Sequence, residues 1–177
     1  MNNKSITLDN FKSSVLFIKN DIERELQLTR DSKGAGNFLC ALGLLNYSKF
    51  AGAVCNQLYP NCFNTFKTNF KICFERLGVG YQKLDADKVY KVFENNLIYQ
   101  NYYDDTIVIS MTSNQAFENA NAGIFFESES GKWYFSVERY FNDLMTLFKQ
   151  LEFDFITNNK ICSWDSMSRS SLSISSS

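Results

Sequence analysis

Histidine is absent from this 177-residue chain, and that absence removes more chemistry than any motif adds. Ser-His-Asp and Cys-His nucleophile activation, histidine metal sites and imidazole proton transfer are excluded within the chain. Carboxylate, lysine, tyrosine and cysteine chemistry remain. Proline is nearly absent too: Pro60, in Tyr59-Pro60-Asn61, is the single one and marks a turn. The net charge of −1 removes the broad electrostatic reason to expect nucleic-acid binding, so a basic surface has to be argued locally. No C-x-x-C pair occurs among Cys40, Cys55, Cys62, Cys73 and Cys162. Structural zinc sites favour close-spaced pairs, so an odd, scattered set predicts reduced thiols and no metal or other cofactor. Met1 to Ser14 carries no signal-peptide pattern. The expectation is therefore a cytoplasmic protein.

What is present is apolar and aromatic. Hydrophobic residues make up 45% of the chain and aromatics 16%, with 17 Phe, enough for one self-sufficient core. The organising stretch is Gly34 to Cys55. It is apolar around nearly its whole circumference at helical spacing, which predicts a buried central helix. Gly36, Cys40, Gly43 and Ala51 would line a shallow groove for a neighbouring backbone, with Phe38, Leu42 and Leu45 opposite. Asn46, Ser48 and Lys49 interrupt the stretch, leaving the apolar run short of the roughly 20 residues a membrane span requires. No membrane partner is expected.

The flanking segments predict helices that pack on this hub. Leu8, Phe11, Val15, Ile18, Ile22 and Leu26 recur at steps of three and four, with Thr7 or Asp9 as cap. Glu23, Arg24, Glu25 and Arg30 read as the solvated face of that helix. Phe63, Phe66, Phe70, Cys73 or Phe74, and Leu77 form an aromatic core stripe closed by Gly78-Val79-Gly80. A fourth helix opens at Leu84-Asp85-Ala86-Asp87 and buries Val89, Val92 or Phe93, and Leu97. Ile107, Ile109 and Met111 then alternate with polar or outward positions, which predicts a half-buried strand. Thr112 to Asn121 reads as a loop. Ile124-Phe125-Phe126 and Trp133-Tyr134-Phe135 flank a Ser-Gly turn and predict a hairpin. Ser136 caps a last helix through Val137, Phe141, Leu144, Phe148 and Leu151.

The fold class expected is mainly α (α+β): a helical bundle around a buried central helix, with a small antiparallel β-hairpin or sheet before the last helix. Residues 1–160 form one globular domain. Residues 161–177 form a serine-rich tail, nine of the fifteen residues from Ser163 onward being serine. Such a composition buries too little to order itself.

The hub Gly36-Asn37-Phe38-Leu39-Cys40-Ala41-Leu42-Gly43-Leu44-Leu45 and the segment Val89 to Tyr99 carry a resemblance to small uncharacterised prokaryotic helical proteins. More distantly the chain resembles the HEPN helical domains, many of them ribonucleases of toxin–antitoxin and defence systems. In those nucleases an Arg followed by a His sits in the corresponding helix end, and two chains usually combine at the cleavage site. Here Glu94 stands where the Arg would be and Tyr99 where the His would be. Glu94 repels a phosphate, and Tyr99, with a reference pKa near 10, is a poor base at neutral pH. The resemblance thus implies the fold without the nuclease chemistry.

Three functional classes follow. The first is a non-catalytic protein-interaction or regulatory protein, with a protein partner or a homodimer, using the surface Glu94, Tyr99, Tyr102, Tyr103, Asp104 and Asp105. Clustered tyrosines bury much area at low entropy cost. The second is an RNA-binding module without catalysis, using Lys67, Lys71, Arg76, Lys83, Lys88 and Lys91. The third is a carboxylate-dependent metal hydrolase built on Glu94, Asp104 and Asp105. The missing histidine places the first class ahead of the enzyme.

Overall fold

A computed structural model describes residues 6–34, 36–58, 65–94 and 106–170, with side chains described to residue 93 and, in the last helix, to residue 157. The chain order is α1 (Leu8–Arg30), α2 (Asn37–Leu58), α3 (Phe66–Arg76), α4 (Val79–Gln82), α5 (Ala86–Glu94), β1 (Ile107–Ser110), α6 (Gln115–Ala120), β2 (Ile124–Glu127), β3 (Lys132–Ser136) and α7 (Val137–Ser170). It is a helical bundle with a small sheet placed before the last helix.

Local chemistry sets the ends of these elements. Thr7 caps α1 by accepting from the Asn10 amide, and Thr65 caps α3 through the Thr68 amide. Asp85 Oδ1 accepts from the amides of Asp87 and Lys88, which opens α5. The Gln57 carboxamide exchanges two hydrogen bonds with the backbone of Ile6, at 2.7 and 2.8 Å, tying the start of α1 to the end of α2.

α2 is the central helix, packed by α3 and α7. Ala41, Leu44, Ala51 and Val54 are fully buried. A buried Leu or Val contributes about 1.5–3 kcal/mol by leaving water. The helix is not buried all round, however: Leu39 is 67% exposed and Asn46 faces solvent. The groove also lies elsewhere than Gly36 and Gly43. At Gly52 a Cβ would collide with the Asn69 carbonyl, so this glycine lets α2 and α3 approach backbone to backbone. By length and composition alone α2 could cross a membrane, and half of its most apolar window is buried inside the bundle.

α1 lies against α7 in antiparallel sense, with Lys12 reaching Glu152 at 3.1 Å and Arg30 reaching Glu138 at 3.0 Å. Phe11 fills the space between them, its ring 5.3 Å from that of Phe155 and 5.8 Å from that of Phe148. The expected aromatic stripe of α3 holds for Phe70, Cys73, Phe74 and Leu77, but Phe66 is 76% exposed. It is the first residue of the helix and points away from the core.

The sheet order is β1-β3-β2. β2 and β3 form the antiparallel hairpin, with Ile124 opposite Phe135 and Phe126 opposite Trp133. β1, expected as a separate strand, pairs with β3 in parallel, so the sheet is mixed rather than antiparallel. The stretch Thr112 to Asn121 is not all loop. Asn114 accepts from the Ala116 amide and starts α6, which stops where Asn121 turns left-handed at φ 51°. Beyond Gly78 the chain makes one further turn, α4, before α5. α7 continues as backbone helix past position 161, where composition places the start of the serine-rich tail.

Candidate functional site

Of the surface expected at the end of α5, only the Glu94 backbone is described, as the last residue of that helix. Tyr99, Tyr102, Tyr103, Asp104 and Asp105 lie outside the described residues. The same holds for Phe63, Leu97, Cys62 and the side chain of Cys162. The helix that leads into this segment is described, and its surroundings form the candidate site.

α5 is nine residues long and sharply amphipathic, Val89 and Phe93 being fully buried. It sits between α3 and the sheet. On one side the Tyr90 ring lies 5.2 Å from Phe70, and the Lys49 ammonium stands 5.2 Å from the Tyr90 ring and 5.9 Å from that of Phe66. On the other side the Lys88 ammonium stands 5.3 Å from the Phe126 ring and 5.9 Å from that of Trp133. Such cation–π contacts contribute about 0.5–1 kcal/mol at exposed positions. Phe126 is 41% exposed, so both flanks of α5 present an aromatic ring to water beside a lysine. A small apolar cavity of about 10 Å³ opens among Leu42, Leu45, Phe70, Tyr90 and Phe93, with Lys49 and Asn46 also lining it. It has no room for a small-molecule ligand.

The basic residues expected to read RNA are partly spent within the fold. Lys67 pairs with Asp87 at 3.3 Å, joining α3 to α5, and Lys71 pairs with Glu75 at 4.0 Å. The carboxylates of the hairpin tip are also engaged. Glu127 accepts from Ser130 Oγ at 2.6 Å and from the Tyr134 hydroxyl at 3.0 Å, and these bonds hold its pKa below the ordinary carboxylate range.

One polar cluster is not announced by the sequence. The Tyr81 hydroxyl donates to Asp143 Oδ2 at 2.7 Å and accepts from the Gly123 amide at 2.8 Å. Arg139 donates to the same Asp143 oxygen at 3.1 Å, to Glu118 at 2.7 Å and to Asn121 at 3.1 Å. Burial pushes the Asp143 carboxyl and the Tyr81 phenol above their ordinary values. Arg139 and Asp143 stand four apart on α7, a visible i,i+4 pair, but nothing local to Tyr81 announces its part. The cluster ties α4, α6 and α7 together. Tyr81, Arg139 and Asp143 are bonded to one another and to Gly123, Glu118 and Asn121, which reads as a fastening rather than a reactive centre.

Cys40, Cys55 and Cys73 are buried free thiols; burial pushes Cys40 and Cys55 up to about 11, and Cys73 higher still. They are therefore poor nucleophiles at neutral pH. Among the described residues no group of three or more Cys, Asp or Glu stands close enough to hold a metal ion. No family model, curated protein or solved structure matches the chain.

Proposed function

We propose that the chain is a non-catalytic protein-interaction or regulatory protein of degenerate HEPN-like type, working in the cytoplasm as a homodimer through the α5 face. The observation that carries this reading is the pair of exposed rings, Phe66 and Phe126, each beside a lysine on opposite flanks of α5. Aromatic side chains at a partly exposed surface are among the groups that anchor protein interfaces. The missing histidine and the inert buried thiols favour a binding role over a chemical one.

Size-exclusion chromatography with light scattering tests the reading. Wild type is expected to run above the 20.4 kDa monomer mass, and Phe66→Ser with Phe126→Ser to return it to monomer. Phe66 is 76% and Phe126 41% exposed, and an unchanged circular-dichroism spectrum verifies that the variant keeps the fold. A strict wild-type monomer at all concentrations overturns the homodimer.

The alternative is RNA binding without catalysis, favoured by Lys88 standing over two rings at the sheet edge. It predicts a gel shift that weakens with added salt. The carboxylate-dependent hydrolase built on Glu94, Asp104 and Asp105 predicts heat on titration with Mg²⁺ or Mn²⁺.

A further inference from the structure

A second site, independent of the α5 face, lies between α1 and α7. Their contact is closed at one end by Lys12 with Glu152 and at the other by Arg30 with Glu138. An open, mostly polar groove of about 490 Å³ runs along these helices. Its apolar lining is Leu26 and Phe141, core residues each 4% exposed. Its walls carry the guanidiniums of Arg24 and Arg30, the carboxylates of Glu23 and Glu138, and three carboxamides, including Asn20 and Asn142.

These charges are held in place. Glu138 binds Arg30 at 3.0 Å with one oxygen and the Ser113 amide at 3.1 Å with the other. Arg24 is held by Asp21 at 2.7 Å and Glu25 at 3.3 Å. Glu23 faces the Lys19 ammonium at 3.9 Å, so each charge on the walls already has a counter-charge and a multivalent anion or cation gains little there. A purely apolar ligand would strip water from the charged walls without replacing its hydrogen bonds. A zwitterion meets neither objection.

Spacing sets its size. Glu23 and Arg30 are seven residues apart, two turns of α1, which places them on one face and about 10 Å apart along the axis. An extended tripeptide spans roughly the same length. Arg30 keeps donors beyond the one that Glu138 uses. We propose that the α1–α7 cleft binds a short unblocked peptide, its ammonium on Glu23, its carboxylate on Arg30 and its amide groups on Asn20 and Asn142.

The test is NMR and calorimetric titration of the full chain with Gly-Leu-Gly, free and in N-acetylated and C-amidated forms. The free peptide is expected to bind at about millimolar concentration or tighter and to shift the side-chain amide signals of Asn20 and Asn142. Blocking either end should weaken it about tenfold, the worth of one charge-assisted hydrogen bond. Glu23→Gln should weaken the free peptide but not the acetylated one, and Arg30→Gln the free but not the amidated one. Both positions are exposed, and an unchanged circular-dichroism spectrum verifies the fold. No binding, equal affinity for free and doubly blocked peptide, or indifference to both substitutions overturns the proposal.

Discussion

Single atoms decide several outcomes here. Gly52→Ala would drive a methyl into the Asn69 carbonyl, and should cost about 1–3 kcal/mol in urea unfolding as an overpacked core site. Gly43 meets only the ring edge of Tyr47 at 3.6 Å, so Gly43→Ala should instead be neutral or stabilising by up to about 1 kcal/mol. The sequence could not rank these two glycines, because both stand on an apolar helix and the distinction lies in a distant backbone. The buried Ser48 and Tyr140 hydroxyls, 2.8 Å apart, give a second contrast. Ser48 also donates to the Leu44 carbonyl, so Tyr140→Phe leaves it satisfied and should cost about 1 kcal/mol. Ser48→Ala orphans a fully buried phenol and should cost more, up to about 3 kcal/mol. Asp143 sets a pH signature. Its folded pKa is raised, with burial outweighing Tyr81 and Arg139, so the folded state holds this proton more tightly than the unfolded state. Its contribution to stability is full below the ordinary Asp value and lost as pH rises through the folded value. Wild type should therefore gain stability relative to Asp143→Asn as pH falls through that window, measured by denaturant unfolding at successive pH values.

Elements with strong periodicity were legible from sequence, and elements made by tertiary fastening were not. α1, α2, α5 and α7 follow from apolar spacing, and the hairpin from its Ser-Gly turn, where Gly131 takes φ 69°. α6 has six residues and one buried apolar side chain, Phe117, too few for a period to show. It is held from outside, Arg139 binding Glu118 near its end and Asn121 at its stop. Arg139→Met should thus speed hydrogen exchange of the amides in 115–123 while leaving those of α2 unchanged. The parallel pairing of β1 with β3 was equally invisible, since strand alternation reports burial and not the partner's direction. At the candidate site, the sequence shows Lys88 only as one of the local run of basic residues from Lys67 to Lys91. Its ring partners came together only through the fold, Phe126 and Trp133 lying more than thirty residues downstream.

At the scale of the whole molecule, one buried cluster takes residues from α1, α2, α3, α5, the sheet and α7. Unfolding should therefore be one cooperative transition, with far-ultraviolet circular dichroism and tryptophan fluorescence coinciding, Trp133 reporting from the sheet in a Trp164→Phe background. The junction between sheet and bundle has a further consequence. Ser136 ends β3, and its hydroxyl accepts from the Arg139 amide in the first turn of α7, so strand passes to helix with no intervening residue. There is no slack in which an error of register can be absorbed. One residue inserted after Ser136 would rotate α7 by about 100° and swing Leu144, Phe148 and Leu151 out of the core. The same insertion at Ser128–Glu129, in the exposed turn of the hairpin, would displace only solvent. Permissible chain-length variation is thereby sorted along the molecule: open at the hairpin tip, closed eight residues later.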